Sequence, residues 1–469
     1  MKNLLSAVSI VLALSACETI NNASETAVAK VNLIEKMNSP RNIIMVIADG
    51  MGPAYTTSYR YFNDDPLTEH IEDTVFDRLL VGSASTYPAR ISGLVTDSAA
   101  GATALATGFK TYNGAIALDV DKNSVETVLE FAKKQGKKTG VVVTSQINHA
   151  TPASYLTHNE NRKNYNEIAD SYLDNTIKAD VYLGGGWKYF LRDDRNLIDE
   201  FKASGFQYID NYNLLNSLKA NTPVIGLFAD KGLPSALDDI NSNRLSTMTQ
   251  TAIKQLENDE GYFLLVEASQ IDWAGHSNDI VTAMAEMSDL AKTMVYLEEY
   301  VKQNPDTLVV LTADHSTGGL TVGANGKYEW HPEVLRTMKS SPESIANKLS
   351  KNKITKNILT ELLNFNVTEK EVKQIKAAKV MAIEKSITYK RLNNKKNSKS
   401  KKPSMSNIIA SSIKKIIDVR TNTGWTSDGH TAIDVPVHTL GKNSEVFKGK
   451  MDNTDIAKKI FLLLGKDNL

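Results

Sequence analysis

The chain has 469 residues, 41% of them hydrophobic and 23% charged, a composition that predicts a packed core and excludes a disordered chain. Lysine plus arginine equals aspartate plus glutamate, at 54 each, so no bulk positive field points to nucleic acid as a partner. A chain of this length holds either one large α/β domain with insertions or about two or three smaller domains.

The N-terminus resembles the signal peptide of a bacterial lipoprotein. An apolar run from Leu4 to Leu14 follows Met1-Lys2-Asn3 and is too short to span a bilayer. The run leads into the tetrapeptide LSAC, which ends at Cys17 and resembles a lipoprotein processing box. We therefore expect residues 1–16 to be removed and Cys17 to be acylated. The alternative is an ordinary secretory signal with an incidental cysteine.

On the lipoprotein interpretation, residues 17–38 form a polar tether that holds an exported protein at a membrane. Glu18 is not the aspartate associated with inner-membrane retention in enterobacteria, so the resemblance favours the outer membrane and a periplasmic or cell-surface location. Because Cys17 is the only cysteine, no intramolecular disulfide can form.

Apolar runs alternate with amphipathic stretches along the rest of the chain. Buried strands are predicted at Asn42–Ala48, Gly140–Thr144, Val181–Leu183, Tyr262–Val266 and Thr307–Thr312. Helices are predicted at Val125–Lys134, Ile280–Lys302 and Pro342–Leu349. Continuous apolar strands separated by helices are typical of an α/β fold, with a large, mostly parallel sheet that helices cover on both faces.

A Lys/Asn-rich segment, residues 328–422, interrupts this pattern, which resumes at Gly424. We interpret the segment as an insertion into a single domain that spans residues 39–469. Its centre, Lys390–Pro403, lies within a stretch from Lys385 to Ile417 that contains no acidic residue. Such a basic run is usually a solvated, mobile loop, and the alternative is a contact with anionic lipid or a polyanion.

Short clusters of acids and histidines are scattered along the chain. They contain Asp49, Glu267, Asp272, His276, Asp314, His315 and His430. Several follow predicted strands directly, at the edge where open α/β sheets build their sites. Imidazole and carboxylate are zinc ligands, and two zinc ions roughly 4 Å apart can clamp the attacking and leaving oxygens of a phosphoryl transfer. The clusters therefore predict a two-zinc site.

Ser98 is the candidate nucleophile of such a site. It follows an apolar strand end, Leu94–Thr96, and opens a run of small residues that can form a helix with free N–H groups facing a phosphate. A serine hydroxyl needs a base or a metal to become a good nucleophile, and no histidine is near in sequence. The alternative is a serine that only caps the helix.

The eight histidines divide into two groups of four. One group lies beside acids, hydroxyls or glycines and consists of His149, His276, His315 and His430. The other lacks such a setting, is interpreted as surface or core residues, and consists of His70, His158, His331 and His438.

Six segments, taken together, resemble those of the bacterial alkaline phosphatases and occur in that family's order. They are NIIMVIADGMG around Asp49, VTDSAAGATALATG around Ser98, HATPASY from His149, EASQIDWAGH from Glu267, TADHSTGG around Asp314 and TSDGHTAIDVPV around His430. They span residues 42–437, so the resemblance covers most of the chain outside the insertion.

The resemblance implies a phosphomonoesterase that hydrolyses small phosphate monoesters through a phosphoserine at Ser98. The implied first zinc ligands are Asp272, His276 and His430. The implied second zinc ligands are Asp49, Asp314 and His315. The implied ligands of a third ion, usually magnesium, are Asp49, Thr151 and Glu267. Arg162 takes the position of the family's phosphate-binding arginine, with Asp97 holding its guanidinium. Family members are mostly dimeric, so a homodimer is also expected.

Two residues depart from the pattern of the enterobacterial members. Those members have aspartate where this chain has His149 and lysine where it has Trp273, although other members share the histidine and tryptophan. His149 could therefore bind the third ion directly or through water, which leaves the identity of that ion open. Enterobacterial members also carry disulfides, which this chain cannot form.

Two rival functions remain from the sequence. A phosphodiesterase of the same superfamily would be expected to lack Arg162 or to use threonine as its nucleophile. A catalytically silent surface lipoprotein would use the fold for binding alone, but it would be expected to have lost some ligands.

Overall fold

The computed structural model describes residues 39–174, 176–393 and 402–466. The predicted signal peptide, Cys17 and the tether lie outside the described residues, as do residues 394–401 of the basic run. No helix in the described part of the chain is long and apolar enough to cross a membrane.

Fourteen strands form within the described ranges. They are β1 (Asn42–Ile47), β2 (Leu80–Ser85), β3 (Lys138–Gln146), β4 (Val181–Gly185), β5 (Gln207–Ile209), β6 (Val224–Leu227), β7 (Tyr262–Glu267), β8 (Thr307–Thr312), β9 (Ser316–Thr317), β10 (Thr321–Val322), β11 (Thr423–Gly424), β12 (His430–Thr431), β13 (Val435–Gly441) and β14 (Gly449–Asp452).

The helices before residue 328 are α1 (Pro53–Asn63), α2 (Val75–Leu79), α3 (Ser98–Thr107), α4 (Val128–Lys134), α5 (Ala150–Leu156), α6 (Tyr165–Asp174), α7 (Trp187–Phe190), α8 (Leu197–Ala203), α9 (Arg244–Leu256), α10 (Gln270–His276) and α11 (Ile280–Gln303). Those after it are α12 (Glu333–Thr337), α13 (Pro342–Lys351), α14 (Lys356–Leu363), α15 (Glu369–Asn393), α16 (Met405–Thr421) and α17 (Asn453–Leu463).

Ten of the strands form one sheet in the order β14-β2-β13-β8-β1-β7-β3-β4-β6-β5. Every neighbouring pair in it is parallel except the two pairs made by β13, which runs antiparallel to β8 and to β2. The central strands β1, β7 and β8 are buried along their whole length. This confirms the predicted α/β fold with a large, mostly parallel sheet covered on both faces.

The predicted strands are confirmed with small shifts at their ends. Thr307–Thr312 is β8 as predicted, whereas Gly140–Thr144 extends by two residues at each end to become β3. The helix predicted from Val125 begins at Val128, because Thr127 caps it by accepting from the backbone N–H of Glu130. Leu94–Thr96 was expected to end a strand, which is wrong: it belongs to no strand, and Leu94 and Val95 are exposed.

The described part of segment 328–422, which was predicted to be an insertion, is largely helical, with α16 packed against both α13 and α15. Ile409, Ile413 and Ile417 recur at helical spacing on the buried face of α16. The expectation of a loop across Lys390–Pro403 is wrong at its start, since α15 continues to Asn393. The α/β pattern resumes with β12, β13 and β14.

Candidate active site

Ser98 is the first residue of α3 and is buried. Asp97, rather than Ser98, caps this helix, because its carboxylate accepts from the backbone N–H of Ala100 at 3.0 Å and of Gly114 at 3.1 Å. The alternative in which Ser98 serves only as the cap is therefore wrong, and the hydroxyl is free for another contact.

The Ser98 hydroxyl lies beside a cluster at the ends of two neighbouring strands. Its oxygen is 3.1 Å from Nε2 of His315, which follows β8. The same nitrogen is 3.2 Å from a carboxylate oxygen of Asp314 and 3.4 Å from one of Asp49, which follows β1. Asp49, Asp314 and His315 are fully buried. The parallel pairing of β1 with β8 thus brings residues far apart in sequence together.

A second group lies at the neighbouring helix α10. Asp272 and His276 are four residues apart on this helix, and Nε2 of His276 is 3.0 Å from Nε2 of His430. The carboxylate oxygens of Asp272 are 3.4 Å from His276 Nε2 and 3.6 Å from His430 Nε2.

Backbone carbonyls orient both imidazoles of this second group. Nδ1 of His276 is 2.6 Å from the carbonyl oxygen of Asp428, and Nδ1 of His430 is 2.9 Å from that of Thr96. Because each Nδ1 donates to a carbonyl, Nε2 is the ring nitrogen that each histidine turns toward Asp272, as metal-binding histidines do. Two lone pairs this close repel each other unless a cation or a proton lies between them.

A third group consists of Asp49, His149 and Glu267. One carboxylate oxygen of Glu267 accepts from the hydroxyl of Ser145 at 3.2 Å, and the other has no partner within the described residues. The ring of Trp273 meets that of His149 edge-on, with centroids 5.9 Å apart. Burial, followed by the charge of Arg162, lowers the pKa of His149 to about 3, so its imidazole is neutral.

The buried acids repel one another strongly. Burial first, and then the neighbouring carboxylates, raise the pKa values of Asp49 and Asp314 well above their usual range. Burial likewise raises the pKa of Glu267 to about 7. Burial and the neighbouring His430 lower the pKa of His315. This arrangement of close, buried acids and neutral imidazoles needs added positive charge to hold the carboxylates ionised.

The orphaned atoms of the site fit bound metal ions. Within the described residues, the buried oxygens without a hydrogen-bond partner include both of Asp49, Oγ1 of Thr151, Oε1 of Glu267 and Oδ2 of Asp314. Three groups of acids and histidines also bring their ligand atoms within 4.8 Å of one another. They are Asp272 with His276 and His430, Asp49 with Asp272 and His315, and Asp49 with His149 and Glu267. Carboxylate and imidazole ligands suit zinc, and the oxygen-rich third group suits a harder ion.

Arg162 lies beyond helix α5 and contacts two residues of the site. Its Nη1 donates to a carboxylate oxygen of Asp97 at 3.1 Å, and its Nη2 is 3.5 Å from Nε2 of His149. The guanidinium is therefore held between the residue that caps the serine helix and the third group.

Sequence reasoning missed the residues that support these groups. Thr317 donates to a carboxylate oxygen of Asp272 at 2.5 Å, and its hydroxyl oxygen is 3.2 Å from Nδ1 of His315. Thr317 therefore accepts from Nδ1, which leaves the lone pair of His315 Nε2 facing Ser98. Thr317 lies in the segment TADHSTGG, two residues after His315, which was the available signal.

The four histidines outside the motifs join none of the three groups in the described part of the chain. His438 is buried against Phe76, and His158 contacts Glu130. His70 and His331 lie at the surface.

Known proteins resemble the chain over nearly its whole described length. The family model for alkaline phosphatase matches residues 40–465. Alkaline phosphatase 3 of Bacillus subtilis is 45% identical over 432 residues, which cover 90% of this chain and 89% of that protein. The chain belongs to the alkaline phosphatase family. It is accordingly a phosphomonoesterase, a hydrolase whose family depends on metal ions and acts on small phosphate monoesters.

Solved structures agree with this alkaline phosphatase assignment. The cold-active alkaline phosphatase of a psychrophilic Shewanella species is 48% identical, with a TM-score of 0.83. The match covers 91% of this chain and 100% of the Shewanella chain. The alkaline phosphatase of the Antarctic bacterium TAB5 is 26% identical, with a TM-score of 0.65. That match covers 92% of this chain and 99% of the TAB5 chain. Variants of the TAB5 enzyme with a histidine replaced by glutamate or aspartate are described with magnesium in a site termed M3.

Proposed function

We propose that this alkaline phosphatase cleaves phosphate monoesters in two steps, with Ser98 as the nucleophile. In the first step Oγ of Ser98 attacks phosphorus, the ester P–O bond breaks, and the alcohol leaves. In the second step water attacks the phosphoserine, the P–Oγ bond breaks, and phosphate is released with Ser98 restored. The observation that supports this most is the buried Ser98 hydroxyl, 3.1 Å from Nε2 of His315 at the start of a helix.

The three groups of the site would hold two zinc ions and one magnesium ion. Asp272, His276 and His430 would hold the first zinc. Asp49, Asp314 and His315 would hold the second zinc beside Ser98. Asp49, Thr151, Glu267 and His149 would hold the third ion. When bound, such ions supply positive charge to the phosphoryl oxygens and lower the pKa of the attacking hydroxyl.

Arg162 would bind the phosphoryl group and help to set its orientation. A guanidinium presents two parallel N–H groups that match two phosphate oxygens. Asp97 holds Nη1 of Arg162, which reduces the freedom the side chain would lose on binding. The start of α3 lies at Ser98, and the N-terminal end of a helix adds partial positive charge there.

Turnover of p-nitrophenyl phosphate and of bis-p-nitrophenyl phosphate at alkaline pH tests the monoesterase proposal. We expect the monoester to be hydrolysed at a much higher kcat/KM, with activity lost on chelation and restored by zinc plus magnesium. A preference for the diester would indicate a phosphodiesterase. Absence of turnover in fully metal-loaded protein would indicate a silent binding protein, and active enzyme without a transition metal would exclude the metal assignment.

We further propose that the enzyme is exported and anchored through lipid on Cys17, with the outer membrane as its destination. The support is the LSAC sequence after a short apolar run. Full-length protein made in a bacterium should fractionate with membranes, and Cys17→Ser should lose that association or remain unprocessed. Recovery of soluble protein cleaved elsewhere would contradict the anchor. A homodimer is proposed from the family resemblance alone, and light scattering tests it.

A further inference from the structure

A groove of 630 Å³ runs between α15 and α16 of the insertion. Ala377, Ala378 and Met381 of α15 and Ile408 of α16 supply much of its lining. Met381 is 47% exposed although it is a large apolar side chain. The groove therefore offers apolar surface to a ligand rather than to the core of the domain.

Two lysines, Lys385 and Lys415, also line this α15–α16 groove. Both are exposed, and neither forms an ion pair with a carboxylate in the described part of the chain. The sequence contains no acidic residue from Lys385 to Ile417. An apolar lining flanked by unneutralised lysines complements an anionic amphiphile, in which a negatively charged head adjoins hydrocarbon.

Ser412 adds a buried hydroxyl to the groove lining. It lines the groove and is only 8% exposed, yet its hydroxyl has no hydrogen-bond partner within the described residues. A buried hydroxyl without a partner is costly, and an oxygen of a bound head group would remove that cost.

We propose that the α15–α16 groove docks on a bilayer that contains anionic phospholipid, with a lipid head group between Lys385 and Lys415. The lipid anchor proposed for Cys17 would bring such a surface within reach, but the docking surface is separate from the anchor and from the catalytic groups. Docking would hold the enzyme body against the membrane.

Vesicle flotation of the chain from residue 18 tests the proposal without the anchor. This chain retains every described element and lacks both the apolar run and Cys17. We expect it to bind vesicles of phosphatidylglycerol mixed with phosphatidylcholine, and not vesicles of phosphatidylcholine alone. Lys385→Gln with Lys415→Gln should weaken binding about tenfold or more, because each lysine near an anionic surface contributes to the attraction. Lys188→Gln with Lys254→Gln, two exposed lysines outside the insertion, should leave it unchanged.

The contact can be located because this chain has no native cysteine. An environment-sensitive dye on Met381→Cys should shift its emission to the blue when phosphatidylglycerol vesicles are added. The same dye on Ile240→Cys, a position that is 94% exposed in the native chain, should not shift. Turnover of p-nitrophenyl phosphate, unchanged in every variant, would show that each one is folded.

Three results would overturn the docking surface. One is equal binding to the two vesicle types. Another is binding that the groove lysines do not affect. The third is a blue shift at Met381→Cys that grows with protein concentration without vesicles, because a second copy of the chain would then cover the groove. Each would leave the phosphatase proposal intact, since that proposal is measured by turnover.

Discussion

Ser98 and His315 are 217 residues apart in sequence, and their Oγ and Nε2 atoms lie 3.1 Å apart. The N-terminus of α3 positions the hydroxyl, and the end of β8 positions the imidazole. Thr317 accepts from Nδ1 of His315 and so turns the lone pair of Nε2 toward the serine. One threonine thus links the serine group to Asp272 of the neighbouring group, to which it donates.

Replacing Arg162 should weaken both binding and turnover of phosphate monoesters. Arg162→Ala removes a charge-assisted contact worth about 1.5–3 kcal/mol, so kcat/KM should fall roughly ten- to hundredfold, and inhibition by phosphate should weaken. The kcat/KM of Arg162→Lys should lie between those of wild type and Arg162→Ala, because lysine keeps the charge but lacks the paired N–H groups. Lys163→Ala, a change at the exposed neighbouring residue, should have no effect, and an unchanged phosphate inhibition constant in Arg162→Ala would contradict the role.

His149→Asp should increase the affinity of the third group for magnesium. The change replaces a neutral imidazole beside Asp49 and Glu267 with an oxygen ligand, which magnesium prefers. The magnesium affinity can be measured by titrating metal-depleted protein with magnesium and monitoring both the heat released and the recovered activity. His70→Asp, at an exposed histidine outside the three groups, serves as the control. Equal magnesium affinity in wild type and His149→Asp would show that His149 does not contribute to the third ion's site.

Arg244→Met should destabilise the fold without touching the site. The Arg244 side chain is fully buried, and its guanidinium lies 2.8 Å from a carboxylate oxygen of Glu286 and 3.2 Å from one of Asp289. Methionine would leave these acids buried without a cation, which costs about 3–5 kcal/mol. Arg195→Met breaks partly exposed ion pairs and should cost about 1 kcal/mol or less. Urea unfolding midpoints at fixed zinc and magnesium measure both, and a similar shift in the two variants would contradict the prediction.

Asp418→Asn should change how the stability depends on pH. Burial raises the pKa of Asp418 to about 7, although Trp425 donates to its carboxylate at 3.2 Å. An aspartate of the unfolded chain ionises near pH 4, so between about pH 4 and 7 the folded state holds an extra proton. Asp418 therefore contributes fully to the free energy of unfolding below about pH 4, and this contribution is lost as the pH rises to about 7.

The asparagine variant lacks that loss, so its stability relative to wild type should rise across the same interval, by up to about 4 kcal/mol. Unfolding of both proteins at several pH values measures the difference, in which the contribution of the metal ions cancels. Asp121→Asn, at an exposed aspartate, should follow the wild-type curve. Parallel curves for Asp418→Asn and wild type would contradict the raised pKa.

The sheet centre could be predicted from sequence because its strands are continuous apolar runs. Thr307–Thr312 became β8 without any shift, and Asn42–Ala48 became β1 with one residue fewer. The edge strands could not be predicted in this way. Strand β2 reads LVGSAS and is mostly half-exposed, so its apolar pattern is weak. Within residues 328–422 the helix predicted at Pro342–Leu349 became α13, whereas α15 was obscured by lysines such as Lys373 and Lys376 on its exposed side.

The candidate ligands could be named from sequence because each lies in a short motif at a strand or helix end. The residues that orient these ligands could not be named from sequence, because they are recognised by their distance from the ligands and not by a motif. The carbonyl of Thr96 contacts His430, which is 334 residues away. Arg244 and Glu286 are ordinary surface residue types in sequence, and only packing shows that both are buried.

Detection of phosphate on Ser98 tests the central claim most directly. Enzyme mixed with a phosphate monoester and quenched in acid should carry one phosphate, which peptide mass spectrometry should place on Ser98. Ser98→Ala should carry none and should lose several orders of magnitude in turnover while it still binds zinc. Ser154→Ala, at a buried serine of α5, should retain both the phosphate and the activity. Phosphate on any other residue, or a loss of less than about tenfold in Ser98→Ala, would contradict the account.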